Sequence, residues 1–263
     1  MSIMENPEKE QAENTVADAS QTAITTSVGT WNTLLNVFKV LDNDVVFRRS
    51  DDMVEFYTID PAHVLTARAK LSMACEGDGQ GLVFVKDMLD FVKAFDKNAV
   101  LRYTFKKLDG YSCEVCLEAR GQLEGFKTFR RMIVMPAEAF PEPVIHTAEA
   151  STNIKTLKHL FNNINSHRLD TIKVSIGENA LALETRDDED VKQFSAPVNT
   201  TASLDRGYYN GSMLTKMVKS LPDTAITVKI SILKTADSKP LAIDVFLPQG
   251  YLNVVMLPRD EDW

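Results

Sequence analysis

The sequence predicts an α+β protein made of two similar β-rich units, with helices packed on one side of antiparallel sheets. Three observations predict it. Four segments carry apolar residues at helical spacing, and they stand among many short segments that alternate apolar and polar residues as strands do. Motifs of the first half return in the second half in the same order. Alternating strands leave one apolar face to cover, and the four amphipathic helices can cover it.

In chain order, residues 1–21 are acidic, polar and free of aromatic side chains, which reads as a disordered tail. They lack the basic start and apolar stretch of a secretory signal. No apolar run approaches the roughly 20 residues a bilayer span needs, so a cytoplasmic protein with no membrane partner is expected. The first helix is expected over 29–43, with Trp31, Leu34, Leu35, Phe38 and Leu41 on its apolar stripe and Asn32, Asn36 and Lys39 opposite. Strand candidates follow at 45–49, 54–59 and 64–71.

A second helix is expected over 85–98. Met88, Leu89, Val92 and Phe95 form its stripe, and Lys86, Asp90, Lys93 and Lys97 its mixed outer face. Strands are expected at 100–107 and 126–135. Between them, Cys113 and Cys116 spell C-x-x-C, but strand alternation sends their side chains to opposite faces. Without a second pair this is no metal motif, and three cysteines without a signal read as reduced structural thiols. Pro136, Pro141 and Pro143 then mark 135–143 as a connector, because proline removes backbone donors and fixes φ.

The third helix, 153–168, has Ile154, Leu157, Leu160, Phe161 and Ile164 on one side. Its other side carries Lys155, Lys158, Asn162 and Asn165, and the segment contains no carboxylate. Strands are expected at 172–176 and 180–186. The acidic run 186–191 has turn composition and reads as a solvated hairpin tip rather than a metal site. The fourth helix, 211–222, buries Met213, Leu214, Met217, Val218 and Leu221 and presents Ser212, Thr215, Lys216 and Lys219. Strands at 225–233, 241–247 and 251–257 close the chain before an acidic tail ending in Trp263.

The repeat shows in two matches. "LLNVF" at 34–38 precedes "LKHLF" by 123 residues, and "FVKAFDKNAVLRYTF" from Phe91 precedes "MVKSLPDTAITVKIS" by 126. A duplicated unit of about 120 residues follows, giving 22–134 and 144–263 as the two units. The formal net charge of −8 argues against a polyanionic partner only if the charge is evenly spread. It is not: 153–168 and 206–222 carry +3 each, so the rest of the chain carries −14. No Walker A loop, H-E-x-x-H, G-x-S-x-G or dinucleotide fingerprint is present in the sequence, and no catalysis or cofactor is expected.

Four stretches carry a resemblance. "IDPAHV" (59–64) is similar to the motif after the early hairpin of proliferating cell nuclear antigen (PCNA). "MLTKMVKSLPDTAITVKI" (213–230) resembles the late helix and strand of archaeal PCNA and of bacterial β clamps. "KPLAIDVF" followed by "YLNVVMLPR" is similar to the closing strands of PCNA, and "MPAEAFPEP" is nearer to a β-clamp segment. The chain therefore resembles the DNA sliding clamps, over roughly residues 22–263, and an archaeal, phage or other viral origin is compatible with it.

The resemblance implies a DNA clamp fold: two clamp domains joined by the connector, a homotrimeric ring and helices lining its hole. It implies double-stranded DNA, bound without regard to sequence, facing Lys39, Lys93, Lys97, Lys155, Lys158, Lys216 and Lys219. A DNA polymerase and other proteins would be tethered through clamp-binding peptides, and a separate clamp loader ATPase would open the ring. Ile59, His63 and Val64 would border the peptide pocket. Pro240, Leu257, Pro258 and Arg259 would form its other wall, and Val134, Met135 and Phe140 its lid. On residue type alone His63 reads as structural, and Phe140 serves equally as packing between the units. Ring-closing strands are looked for at 115–120 and 171–176. Two other readings stay open: a clamp-like processivity factor or specialised ring subunit that does not encircle DNA as a homotrimer, and an enzyme or peptide-binding scaffold on a duplicated α+β fold.

Overall fold

The structure is a computed structural model that describes residues 21–77, 79–108, 111–133, 146–164, 171–187, 190–200, 205–233 and 238–259. All of the tail except Gln21, the whole connector and the last residues of the third predicted helix lie outside the described residues. The repeat predicted from sequence is visible in the element order. The first half runs β1 (Gln21–Ser27), α1 (Val28–Phe38), a 3-10 turn (Lys39–Leu41), β2 (Val45–Ser50), β3 (Met53–Ile59), β4 (Leu65–Ser72), β5 (Ala74–Glu76) and β6 (Gln80–Val83). It continues through α2 (Val85–Val92), β7 (Val100–Lys107), β8 (Ser112–Arg120) and β9 (Gly125–Met132). The second half repeats this order. It begins β10 (His146–Thr152), α3 (Ile154–Asn163), β11 (Thr171–Gly177), β12 (Ala180–Asp187), β13 (Asp190–Pro197), β14 (Asn199–Thr200) and β15 (Asp205–Asn210). It ends α4 (Gly211–Ser220), β16 (Thr227–Leu233), β17 (Leu241–Leu247) and β18 (Gly250–Met256).

The strand pairing repeats as well. The order β5-β1-β7-β8-β9 in the first half returns as β14-β10-β16-β17-β18, and β4-β3-β2-β6 returns as β13-β12-β11-β15. One strand pair links the sheets of the two halves. β18 pairs antiparallel with β4, from Gly250↔Leu71 to Met256↔Leu65, and so merges strands of both halves into a nine-stranded sheet. The corresponding strands β9 and β13 each lie at the edge of their sheet. The segments 115–120 and 171–176, sought as ring-closing strands, are interior instead: β8 sits between β7 and β9, and β11 between β12 and β15. Their backbone groups are already paired in-chain, so a second copy finds no free edge there.

Helix starts follow from side-chain caps. Ser27 accepts from the Thr30 N–H at 3.1 Å, Asn153 from Thr156 at 2.8 Å and Asn210 from Met213 at 3.0 Å, each satisfying a donor that has no intrahelical partner. α2 lacks a local cap; the Asp44 carboxylate, distant in sequence, accepts from the Val85 N–H. Burial raises the Asp44 pKa above its ordinary value, and that hydrogen bond opposes the rise. α2 ends six residues short of its expected end at 98: the N–H groups of Ala94 and Phe95 bond three residues back, to the Phe91 and Val92 carbonyls at 3.3 and 3.2 Å, and the Asp96 carboxylate then accepts from the N–H groups of Asn98 and Ala99 at 2.9 and 3.1 Å.

All four helices lie against sheet faces over one continuous core. Its centre in the first half is aromatic: the Trp31 ring meets Phe56 edge-on at 5.9 Å and Tyr103 at 5.9 Å, and Phe47 meets Tyr103 and Phe105 at about 6 Å. Each such ring stabilises by roughly 1.5–3 kcal/mol through burial alone. Cys113 is buried and Cys116 half-buried on opposite faces of β8, as alternation predicts. The acidic run at 186–191 spans the β12–β13 hairpin, whose last pair is Asp187↔Asp190.

Candidate functional site: a basic groove between helices

The helices meet in the order α2, α1, α4, α3, with α1 against α4 bridging the two halves. Their apolar stripes are consumed by the core: Trp31, Leu34, Leu35 and Phe38 on α1, and Leu214, Met217 and Val218 on α4, are buried. What remains outward is polar by construction. Asn36 and Lys39 stand at the outward positions of α1 and the turn after it, as Lys216 and Lys219 do on α4. Thr215, expected outward, is 1% exposed, and its hydroxyl has no hydrogen-bond partner among the described residues.

Between these surfaces runs an open groove of about 1140 Å³, lined from both halves. Five of the seven lysines singled out in the sequence line it: Lys39, Lys97, Lys158, Lys216 and Lys219. Neutral donors and acceptors interleave with them, among them Asn32, Asn36, Asn98 and Gln249. Asp223 is the one carboxylate among its described lining residues, and it receives a 2.7 Å contact from Lys158 Nζ.

The other two lysines lie elsewhere. Lys93 borders a smaller cleft of about 580 Å³ together with Lys39, Lys86, Asp42, Asp44 and Asp90, and its Nζ contacts Asp90 at 2.9 Å. That cleft holds as many carboxylates as lysines. Lys155 is exposed on the first turn of α3 and lines neither cleft. The acidic residues of the second predicted helix divide by direction. Asp87 turns away to Lys127 at 3.0 Å and Arg131 at 2.8 Å, and Asp96 is spent on backbone donors, which leaves Asp90 beside the cleft.

The residues expected to receive a peptide also gather, at the edge of the nine-stranded sheet's central joint. After β3 the chain turns at 60–64 around the Asp60 carboxylate, which accepts from the N–H groups of Ala62 at 3.0 Å and Val64 at 2.7 Å. This turn holds exposed His63 in the left-handed region, at φ 58°. The Leu257 N–H donates to the Val64 carbonyl at 2.8 Å, which brings the chain end beside the turn. Pro240 precedes Leu241, the register partner of Met256. Ile59 ends β3, Leu257 is 44% exposed, and Pro258 leads to Arg259, whose N–H donates to the Tyr208 carbonyl at 2.8 Å. Val134, Met135 and Phe140 lie outside the described residues.

Sequence reasoning missed the Lys158–Asp223 contact and the turning of Asp87 toward β9. Both join residues far apart in the chain, and no local pattern signals them. It missed Asn98 and Gln249 because isolated amides carry no periodic signal.

No protein-family model and no curated protein matches the chain in sequence. Solved structures do match in shape. The chain is similar to the crystal structure of Proliferating Cellular Nuclear Antigen from Entamoeba histolytica, with a TM-score of 0.76 at 15% identity over 92% of this chain and 100% of that one. It is also similar to a PCNA2–PCNA3 complex from Sulfolobus tokodaii, with a TM-score of 0.72 at 18% identity over 90% and 99% of the two chains. The fold is the PCNA clamp fold.

Proposed function

We propose that this chain is a DNA sliding clamp: a homotrimeric ring that encircles duplex DNA and tethers DNA polymerase and other replication and repair proteins to it. The observation that carries the reading is the groove lined by five lysines from both halves and, among its described lining residues, one carboxylate, on a chain whose net charge is −8. Phosphate attracts ammonium groups without regard to base sequence, and salt screens that attraction. Flexible lysines interleaved with neutral amides hold a backbone loosely enough to let it move. The net negative charge of the chain outside 153–168 and 206–222 disfavours DNA there on average. In this reading Lys39, Lys97, Lys158, Lys216 and Lys219 form the principal contact, with Lys93 and Lys155 contributing at its margins.

Ring closure has a precedent inside the chain. The β4·β18 joint pairs one edge from each half, and the equivalent strands β9 and β13 each end a separate sheet with no further partner strand among the described residues. Repeating the joint between copies is a heterologous, head-to-tail contact, and such contacts close into rings when the rotation permits. We take 22–134 and 144–263 as the two clamp domains and 135–143 as their connector. Three copies then contribute six domains and twelve helices facing the hole.

Partner peptides anchored by apolar side chains would dock beside Ile59, His63, Val64, Pro240, Leu257, Pro258 and Arg259, with Val134, Met135 and Phe140 supplied by the connector side. Loading falls to a separate ATP-driven loader, since the sequence holds no nucleotide-binding motif. No catalytic step belongs to this reading. Light scattering tests the assembly: the expected mass is near three times 29.4 kDa, and a chain that remains at 29.4 kDa at every concentration contradicts the ring.

A further inference from the structure

The open edge strand β9 is fastened to α2 by an ionic device that its counterpart in the second half lacks. The Asp87 carboxylate on α2 accepts from Lys127 Nζ at 3.0 Å through Oδ1 and from Arg131 at 2.8 Å through Oδ2. Lys127, Phe129 and Arg131 alternate onto one face of β9. The Phe129 ring meets Phe84, just before α2, at 5.8 Å and 74°. The two cations flank that ring, Lys127 Nζ at 5.1 Å and Arg131 Cζ at 5.0 Å from its centroid. Burial would raise the Asp87 pKa, but the two cations outweigh it and hold the carboxyl below its ordinary value, so it is ionised at neutral pH.

The second half solves the same problem with hydrocarbon. The residue 126 positions after Asp87 is Met213. The covered face of β18 presents Leu252, Val254 and Met256, all buried, and β4 closes its far edge. Among the described residues, no strand closes the far edge of β9. An apolar face at an open edge would pair with any strand it met, whereas charged side chains keep the edge soluble and selective. β9 carries Lys127, Arg130 and Arg131 beside exposed Phe126 and Met132, while in sequence 187–190, from the last residue of β12 to the first of β13, are four successive carboxylates.

We propose that Asp87 is a positioning residue that holds β9 ready for β13 of a second copy of this chain, so that an ionic clip stands where the in-chain joint uses apolar packing. The inference rests on the ring reading and deepens it. Its test compares wild type, Asp87→Asn, Asp87→Glu and Asp90→Asn by sedimentation over a range of concentration, with thermal melts of each. Asp90→Asn makes the same charge change on the same helix but touches Lys93 rather than β9. Asp87→Asn is expected to raise the concentration of half-assembly at least about threefold, the size of effect a partly buried ion-pair cluster supports. Asp87→Glu is expected to restore most of that loss, and Asp90→Asn to match wild type. If Asp87→Asn fails to fold, the paired change Lys127→Gln with Arg131→Gln is expected to show the same loss. A shift below about threefold in the folded variant, or an equal shift in Asp90→Asn, overturns this inference alone. A wild-type chain that never assembles overturns the ring reading and this inference with it.

Discussion

Glu55 shows how a single side chain can stitch a sheet. It lies on β3 at 1% exposure, yet it is charged, because Arg48 Nε on β2 and Arg68 Nε on β4 each donate to it at 2.7 Å. The same face continues across the joint between the halves. Asn253 lies opposite Arg68 and donates to Asp244 at 2.7 Å, Lys229 lies opposite Asp244, and Lys229 reaches Glu149 at 2.8 Å. Burial pushes the Glu55 pKa up, and the two guanidinium groups more than reverse this, leaving it below the ordinary carboxylate value. A lowered folded-state pKa gives stability that is present above the unfolded-state value and is lost as pH falls through the folded-state value. Glu55→Gln is therefore expected to lower stability by about 2–3 kcal/mol at pH 7 in urea unfolding, with the gap narrowing as pH drops below the carboxylate range. Equal gaps at neutral and acidic pH would show that the charge is irrelevant. At this scale the sequence was partly legible. Lys158, Lys216 and Lys219 are legible because their helices carry no carboxylate, whereas Lys97 sits beside Asp96, and counting helix positions places Thr215 outward although it is buried.

At the scale of elements, α4 is the strongest part of the groove, since it brings Lys216 and Lys219 within one turn of each other and no carboxylate stands on the helix. Lys216→Ala with Lys219→Ala is expected to reduce the slope of log K against log salt for duplex binding by about 0.9 for each phosphate that is no longer neutralised, measured by fluorescence titration. Asp223→Asn acts in the opposite direction. It releases Lys158 and removes the groove's carboxylate, and it is expected to tighten duplex binding about two- to fivefold at low salt. A salt slope unchanged by the double substitution would place DNA on another surface. Helices were legible because an apolar stripe at 3.6-residue spacing is forced by a one-sided core. Several strands were not. β5 and β14 have only three and two residues, and β6 and β15 contain glycine. β13 has weak alternation, with Val191 exposed at 57%, since one of its edges meets no other described strand of this chain. β10, with the sequence HTAEAST, lacks large apolar residues.

Across the whole molecule, duplication explains more than any single motif. Eighteen strands and four helices are described as two passes through one plan, and the two passes are fused by one strand pair. The repeat was legible at offsets of 123 and 126 residues because the amphipathic helices preserve their pattern. The location of the open edges was not legible, because edge and interior strands differ in what lies beside them rather than in their own alternation. From this plan follow the groove shared by both halves and two end strands, β9 and β13, each with one edge that meets no other described strand of this chain. Retention on circular DNA decides whether the protein encloses the duplex. The assembled protein is loaded on a nicked circle and washed at a salt concentration that abolishes direct lysine–phosphate binding, and the circle is then cut once. The protein is expected to stay on the intact circle and to leave the linear form. Loss from both forms at the same rate, or retention on both, would contradict enclosure.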